Sequence, residues 1–412
     1  MTHLAVVDLG YGDAGKGSVV DAICATGPVA SVIRFNGGAQ AAHNVVTPDG
    51  RHHTFAQFGA GTFHGVPTHL SRYVLVDPLA LAAEADHLTS VGVADPFALL
   101  TVDAEALLVT PWHRAANRAG ERRRGAGRHG SCGMGIGQTM QYALRHVDAP
   151  RVVDVLSPAQ LRRRLTAVRD RLTAEFGPLG GPSVADVAEA FTAFGAAVPI
   201  VDGVAHLARV LGSGICLFEG AQGVLLDEWR GWHPHTTWST TTFDNALSLA
   251  GSHDVLRLGV VRTYTTRHGA GPFVTEHPLP LPEAHNGTGE FQGEFRVGHF
   301  DAVAHRYAVE VCGGVDALAV THLDRVPAEL RVCTSYETAG GALQRIVPGE
   351  RGDLAHQSAL TAMLSAARPG ALHRPDDFAA AIGGLLDAPV LIESAGPTWV
   401  DKRIRTATSI AG

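Results

Sequence analysis

The chain has 412 residues, a formal net charge of −7, 45% hydrophobic and 18% charged residues, and a mean hydropathy of +0.08. This balance excludes a disordered chain, and the acidic charge excludes bulk nucleic-acid binding, with the Arg122-Arg123-Arg124 run and Arg128 as a local exception. No apolar run approaches the roughly 18 residues that read as a bilayer span, so no membrane segment is expected.

Short aliphatic runs without clean alternation predict strands buried on both faces at 4–8, 30–35, 73–77, 215–219, 255–263, 315–321 and 389–393. Ala- and Leu-rich stretches at 158–176 and 183–194 predict helices between them. Strand–helix alternation implies an α/β fold with a mainly parallel central sheet flanked by helices. Stretches rich in Gly, His, Thr and Pro at 36–70, 120–140, 228–245 and 264–300 read as functional loops. A single domain over 1–412 is expected, with a helical insertion at roughly 80–200 and the segment 389–412 rejoining the core.

The first predicted strand runs into Gly10-Tyr11-Gly12-Asp13-Ala14-Gly15-Lys16-Gly17-Ser18, and an apolar helix follows from Val19. Strand, glycine loop and helix make a phosphate cradle. Glycines let backbone N–H groups approach an anion, and the helix N-terminus adds partial positive charge. Of 33 Lys and Arg residues only Lys16 and Lys402 are lysines. Lys16 stands where it can reach a terminal phosphate; a tight turn with a solvated lysine is the structural alternative. Gly17 stands where Ser or Thr usually ligates Mg²⁺, so Asp13 is the candidate metal ligand.

Farther along, His43 and Asn44 close a small-residue loop that begins at Asn36. An imidazole there can donate or accept a proton near neutral pH, although among 22 histidines any one is more often structural. A second glycine loop, 130–137, carries Ser131 and Cys132 and suits an anion or a plain surface loop. Gln222, in 219–227, offers a donor and an acceptor to a nucleobase lactam edge or to buried backbone. Thr237 lies in a hydroxyl-rich run that suits phosphate or a solvated turn, and Arg267 opens a glycine-rich segment that ends at Phe273. Asp324 ends a strand, as a cap or as an acceptor for guanine N–H groups, and Ser394-Ala395-Gly396-Pro397 flanks the same base or forms a turn. Five scattered cysteines without a CxxC pair point to a reducing cytoplasmic setting and no cysteine metal site.

In order and spacing these segments resemble adenylosuccinate synthetase, a family that couples GTP hydrolysis to the joining of IMP and aspartate. The most specific pieces are Gly12-Asp13-Ala14-Gly15-Lys16-Gly17, 219–227, 267–273 with Thr275-Glu276, and Gly298-His299-Phe300-Asp301. The resemblance implies a P-loop-like, GTPase-type core with inserted helical and loop subdomains, GTP and Mg²⁺ at the site, and nucleotide and amine substrates. It implies a base pocket at roughly 315–412 and a homodimer with a shared site. In the family a base removes the purine N1 proton, the 6-oxygen attacks the γ-phosphate, and an amine then displaces phosphate. By this resemblance Asp13 is the base and a Mg²⁺ ligand, with the Ala42 carbonyl near the metal, and His43 is the general acid. Gln222 orients the purine; Gly12, Gly15, Lys16, Gly17 and Asn44 lie on the triphosphate; Asp324, Ser394 and Gly396 lie on guanine. Gln40, Ser131, Cys132 and Thr237 fall on the monophosphate side with Arg267. Arg145, or His146 with an offset of one, is the residue that crosses from a second subunit.

The departures are specific. The family's aspartate-binding loop carries several arginines before Gly298; this chain has Glu294-Phe295-Arg296-Val297, so Arg296 alone remains beside an acidic residue. Loss of a bidentate arginine costs a few kcal/mol, about 10²-fold, which points to a less acidic amine donor or a different acceptor in specialised metabolism. Nucleotide binding without ligation, or phosphorylation without it, are the alternatives. Gln40 and Cys132 replace Asn and Thr, His322 replaces a lysine beside guanine, and Ala14 replaces Glu.

Overall fold

Alternate residues of the first strand face opposite cores. Val6 packs with Val32, Leu217 and Leu258 on one side, whereas Ala5 and Val7 pack with Ile33, Phe218 and Val261 on the other. A strand buried on both faces needs helices above and below, and this requirement organises the chain. The computed structural model describes residues 1–405 apart from Arg128, Pro282, Ala284, His285, Thr288 and Gly289; 406–412 also lie outside the described residues. Ten strands form the central sheet: β1 His3–Asp8, β2 Val29–Arg34, β3 Thr68–Leu70, β4 Leu100–Asp103, β5 Ile200–Val201, β6 Ile215–Glu219, β7 Val255–Arg262, β8 Ala317–Thr321, β9 Val390–Ser394 and β10 Lys402–Ile404. Their order is β10-β9-β8-β7-β1-β6-β2-β3-β4-β5. Neighbours run parallel except at the edge, where β10 is antiparallel to β9.

The sheet is the mainly parallel α/β sheet that the buried strands predict, and six of the seven predicted strands lie in it within one or two residues at each end. The exception is 73–77. Only Leu75–Val76 is strand, in a two-stranded pair with Leu107–Leu108, and the sheet strand is Thr68–Leu70. Thr68 and His69 are polar but fully buried, so an aliphatic run was the wrong signal there. The helices Pro158–Phe176 and Val184–Ala197 match their apolar stretches. The region 80–200 is mostly helical, yet β4 within it and β5 at its end return to the sheet. Segment 389–405 supplies the β9–β10 edge.

Strands β1, β2, β6, β7, β8 and β9 end on the same side, because they are parallel and adjacent. In open parallel sheets the crevice beyond the carboxyl ends is where ligands bind. The loops that leave those six strands are the glycine loop and the segments that follow Arg34, Glu219, Arg262, Thr321 and Ser394.

Candidate active site

Asp8, the last residue of β1, shapes the glycine loop from below. Its Oδ1 accepts from the amides of Gly10 (2.8 Å) and Gly12 (3.2 Å), and its Oδ2 from that of Ala14 (2.6 Å). Lys16 is buried and begins the helix Lys16–Thr26, so the helix starts earlier than the apolar run at Val19 suggested. Its Nζ donates to the carbonyls of Gly12 (2.9 Å) and Gln222 (2.8 Å) and lies 3.4 Å from Asp8 Oδ2. Neighbouring strands hold the loop as well: Thr321 Oγ1 donates to the Ala14 carbonyl (2.7 Å) and Arg262 Nε to the Asp13 carbonyl. A Cβ on Gly223 would stand 2.3 Å from the Gly10 carbonyl oxygen, so only glycine allows the two loops to touch. Asp8 had no motif to announce it; a carboxylate at the end of a strand before a glycine loop was the available signal.

Gly17 has a similar explanation. A Cβ there would lie 2.7 Å from Cβ of His43, so the hydroxyl residue of the usual phosphate loop is sterically excluded by the hairpin His43–Val46/His52–Phe55. His43 is buried, and its Nδ1 lies 2.6 Å from Oε1 of Glu219, whose Oε2 accepts from the Ala60 amide (3.0 Å). Burial holds the His43 imidazole down to about 4, against the opposing pull of Glu219. Burial works against ionised Glu219, but Arg34 and His43 outweigh it and keep the carboxyl below its ordinary range. Asp13 faces the opposite balance: burial lifts its carboxyl above the usual range, while His268, with Nε2 at 3.7 Å, and Arg262 pull it down.

Two cavities meet at these residues. The larger, about 590 Å³, is lined by Gln40, Ser131, Cys132, Gln222, Thr237 and Arg267 among others. The smaller, about 150 Å³, is lined by Gly15, Lys16, Gly17, Asn44, Asp324, Ser394 and Gly396. Gly12, Asp13, Ala42, His43 and Asn286 line both. The side-chain amides of Gln40 and Gln222 are buried with no hydrogen-bond partner at either end, as are Nδ1 of His235 and of His268, and all four residues line the larger cavity. An unpartnered buried polar group costs about 1–3 kcal/mol, and four facing one space suit a polar ligand. Gln222 reaches its place through a positive φ of 58°, with the preceding Ala221 locked in both directions by the side chain of Asn36 (2.7 and 3.0 Å). Asn117 anchors the second glycine loop, donating to Ser131 Oγ (2.8 Å) and accepting from the Gly135 amide (3.2 Å). Neither asparagine role was legible in a motif.

In the smaller cavity Ser394 is buried and Asp324 half-exposed. His322 is half-buried, at φ 59°, and desolvation holds its imidazole well below its ordinary range. Lys402 lies opposite Ser394 in the β9–β10 ladder and donates to the Gly396 carbonyl (2.8 Å). Burial brings its ammonium down to about 8 despite Asp401, Asp21 and Asp324.

Three predicted residues stand differently. Arg267 lines the larger cavity, yet its guanidinium donates to the carbonyls of Ala270 (3.1 Å) and Pro272 (3.0 Å) and lies over the Tyr11 ring (4.4 Å). Arg296 lines neither cavity. It forms a two-point pair with Glu276 (2.9 and 2.5 Å) and donates to the carbonyls of Gly269 and Gly271. Arg145 is exposed at the end of helix Ile136–Arg145, 3.6 Å from Glu175, and neither it nor His146 lines the cavities of its own chain.

The profile of the family described as adenylosuccinate synthetase matches residues 5–366. The adenylosuccinate synthetase of Neisseria gonorrhoeae is 32% identical over 371 residues, covering 84% of this chain and 83% of that protein. The one from Magnetococcus marinus is 33% identical over 362 residues, covering 82% of each. Among solved structures, fully ligated adenylosuccinate synthetase from Plasmodium falciparum superposes with a TM-score of 0.83 at 20% identity, over 98% of this chain and all of that one. Cyanophage S-2L succinoaminodeoxyadenylate synthetase, bound to dGMP and to dATP as an energy donor, gives 0.60 at 17% identity, over 100% and 98%. The structural likenesses establish the fold; the profile and the bacterial relatives, with their near full-length overlap, establish descent, and this chain belongs to the adenylosuccinate synthetase family of GTP-coupled carbon–nitrogen ligases.

Proposed function

We propose that this chain phosphorylates the 6-carbonyl oxygen of an IMP-like purine nucleotide with GTP and displaces the phosphate with an amine. The observation that carries the reading is the junction of two cavities at Asp13 and His43. A lactam oxygen is a poor leaving group until phosphorylated, and that step needs a base on one side and a phosphoryl donor on the other. Asp13 takes the N1 proton, and its lifted pKa makes it a better base than an ordinary aspartate. The Gln222 amide meets the purine edge. Gln40, Ser131, Cys132 and Thr237 receive the monophosphate. On the other side, amides at Gly15, Lys16 and Gly17 with the helix N-terminus take the triphosphate. Lys16 would exchange its loop carbonyls for phosphate oxygens. Asn44 lines the same cavity; Asp324, Ser394 and Gly396 hold the base.

His43 is directed by Glu219 through Nδ1, which leaves Nε2 for the phosphoryl group. An arriving polyanion favours the protonated ring, so the low pKa of the free imidazole rises when it is needed. Hard oxygen donors at Asp13 and Ala42 fit Mg²⁺, which takes one or two protein ligands and completes its shell with phosphate and water. Among the described residues no cluster of three or more His, Cys, Asp or Glu offers a separate metal cage. Bound there, Mg²⁺ would neutralise charge on the transferring phosphoryl group.

A homodimer completes the site by the same reading. Leu144, Val147, Val153 and Leu156 are all exposed in the stretch that carries Arg145, and burying them against a second copy would bring Arg145 to the partner's monophosphate. No helix among the described residues is long and apolar enough to cross a membrane, and a cytoplasmic enzyme fits the five scattered cysteines, all of them free thiols. Steady-state assay of GTP- and Mg²⁺-dependent phosphate release with IMP tests the reading, together with sedimentation analysis. Absence of any IMP-dependent turnover or isotope exchange in GTP would sink it.

A further inference from the structure

The wall of the larger cavity beside Asp13 lacks a free guanidinium among the described residues. Arg296 is held by both carboxylate oxygens of Glu276 and by two carbonyls, and its plane lies over Phe273 (5.3 Å). Arg267 is committed to Ala270 and Pro272. Arg262 faces the smaller cavity and pairs with Glu283 (3.0 Å). Arg124 lies at the Asn117–Ser131 end and pairs with Glu121 (2.7 Å). Arg262 reaches the Asp13 carbonyl from the smaller cavity, and on the larger-cavity side Asp13 adjoins His268, whose Nε2 is 3.7 Å from Asp13 Oδ2 and 3.4 Å from Asn286 Oδ1 and whose Nδ1 has no partner; Gln292 and Glu228 also line that cavity.

A dicarboxylic amino acid brings two negative charges. Here it would meet imidazole and amide groups next to the Asp13 carboxylate. Recruiting Arg296 would leave Glu276 without its partner, and a two-point guanidinium–carboxylate pair is the stronger kind of ion pair. We propose that the amine substrate of this enzyme carries at most one carboxylate and is received by His268, Asn286 and Gln292, while the Arg296–Glu276 pair withholds the guanidinium that a second carboxylate would require. The inference rests on the ligase reading above. In the step concerned the amine nitrogen bonds to the activated purine carbon and the carbon–oxygen bond to the phosphoryl group breaks. Inorganic phosphate leaves with the bonding pair and takes up the surplus N–H proton.

The test is a donor panel with the full-length enzyme, GTP, Mg²⁺ and IMP: L-aspartate and L-glutamate against glycine, L-alanine, L-asparagine and ammonium. Phosphate release is measured and products are identified by mass. The expected result is a kcat/KM at least ten-fold higher for one of the second group than for aspartate. Glu276→Gln, which releases Arg296, is expected to raise kcat/KM for aspartate by about ten-fold. Positional isotope exchange in GTP with IMP and no amine reads the activation step separately. Its absence overturns the ligase reading and this proposal with it. Exchange in the wild type, with no member of the second group used better than aspartate, overturns this proposal alone.

Discussion

Nδ1 of His43 lies 2.6 Å from Oε1 of Glu219, a carboxylate with no solvent exposure that ends β6 and also takes the Ala60 amide. The pair fixes both tautomer and ring direction, so the sheet itself orients the imidazole between the cavities. Glu219→Gln keeps the shape but removes the charge that favours a protonated ring. We expect kcat to fall by about 10²-fold, within the usual range for general acid–base groups, with nucleotide affinity changed far less. Steady-state kinetics with a thermal-shift control measures this; an unaltered kcat would mean that His43 does not act in the chemical step.

Asp13→Asn should lower turnover by about 10²-fold or more and weaken the Mg²⁺ dependence of guanine-nucleotide binding. Because burial lifts the Asp13 carboxyl, its ionised form is lost as pH falls at a value above the ordinary aspartate range. The acid limb of kcat/KM for the purine nucleotide is expected above roughly pH 4. A limb at or below that value, or turnover retained in Asp13→Asn, would remove Asp13 from the role of base.

Asp8→Asn turns an acceptor into a donor opposite either the Gly10 and Gly12 amides or the Ala14 amide and Lys16. An unmatched buried donor pair is expected to lower stability by about 1–3 kcal/mol and to raise KM for the triphosphate. Urea unfolding and nucleotide titration read the two effects; a variant equal to the wild type in both would show that the loop holds its form without Asp8.

Gly17→Ala places a Cβ 2.7 Å from Cβ of His43. The hairpin must shift by several tenths of an ångström, and kcat should drop more than ten-fold, consistent with the sensitivity of catalysis to misplacements of about 1 Å. Gly17→Ser should behave alike and gain no metal affinity, which isothermal titration with Mg²⁺ and GTP would detect.

Buried neutral histidines set the acid stability. Burial holds His43 down to about 4 and both His69 and His113 to about 3. An unfolded histidine titrates near 6.5. Below that value the unfolded chain binds protons that the folded chain refuses, so stability present above about pH 6.5 is lost as pH falls toward 4, by about 1 kcal/mol for each group at pH 5.5. The unfolding temperature should decline across this window. A flat profile from pH 7 to 5 would contradict the neutral assignment.

The central sheet was legible because strands buried on both faces write themselves as aliphatic runs, as at 215–219 and 255–263. Strand Thr68–Leu70 was not, since its polar residues enter the interior through bonds to distant segments: His69 Nδ1 bonds Thr101 Oγ1 (3.0 Å) and Thr68 Oγ1 accepts from the Gly59 amide (2.9 Å). Gln222 and Gln40 were legible as candidates, but not as unpartnered groups, which only the fold decides. Asp8, Asn36 and Asn117 escaped notice because each acts on a loop distant in sequence or through backbone amides. Arg296 was read as a substrate contact from its place in the chain. Its partner Glu276 is 20 residues away, and pairing across that distance follows from the Thr265–His268/Phe295–Gly298 hairpin rather than from spacing.

Both lysines of the chain border the smaller cavity, Lys16 lining it and Lys402 behind Gly396. The molecule thus carries a built-in chemical reporter. An amine-directed acylating reagent finds two side chains and the N-terminus, and among the lysines Lys402, with its ammonium brought to about 8, reacts first near neutral pH. Occupancy of the cavity can be followed as protection of a single peptide in a mass spectrum, with no label introduced and no residue replaced.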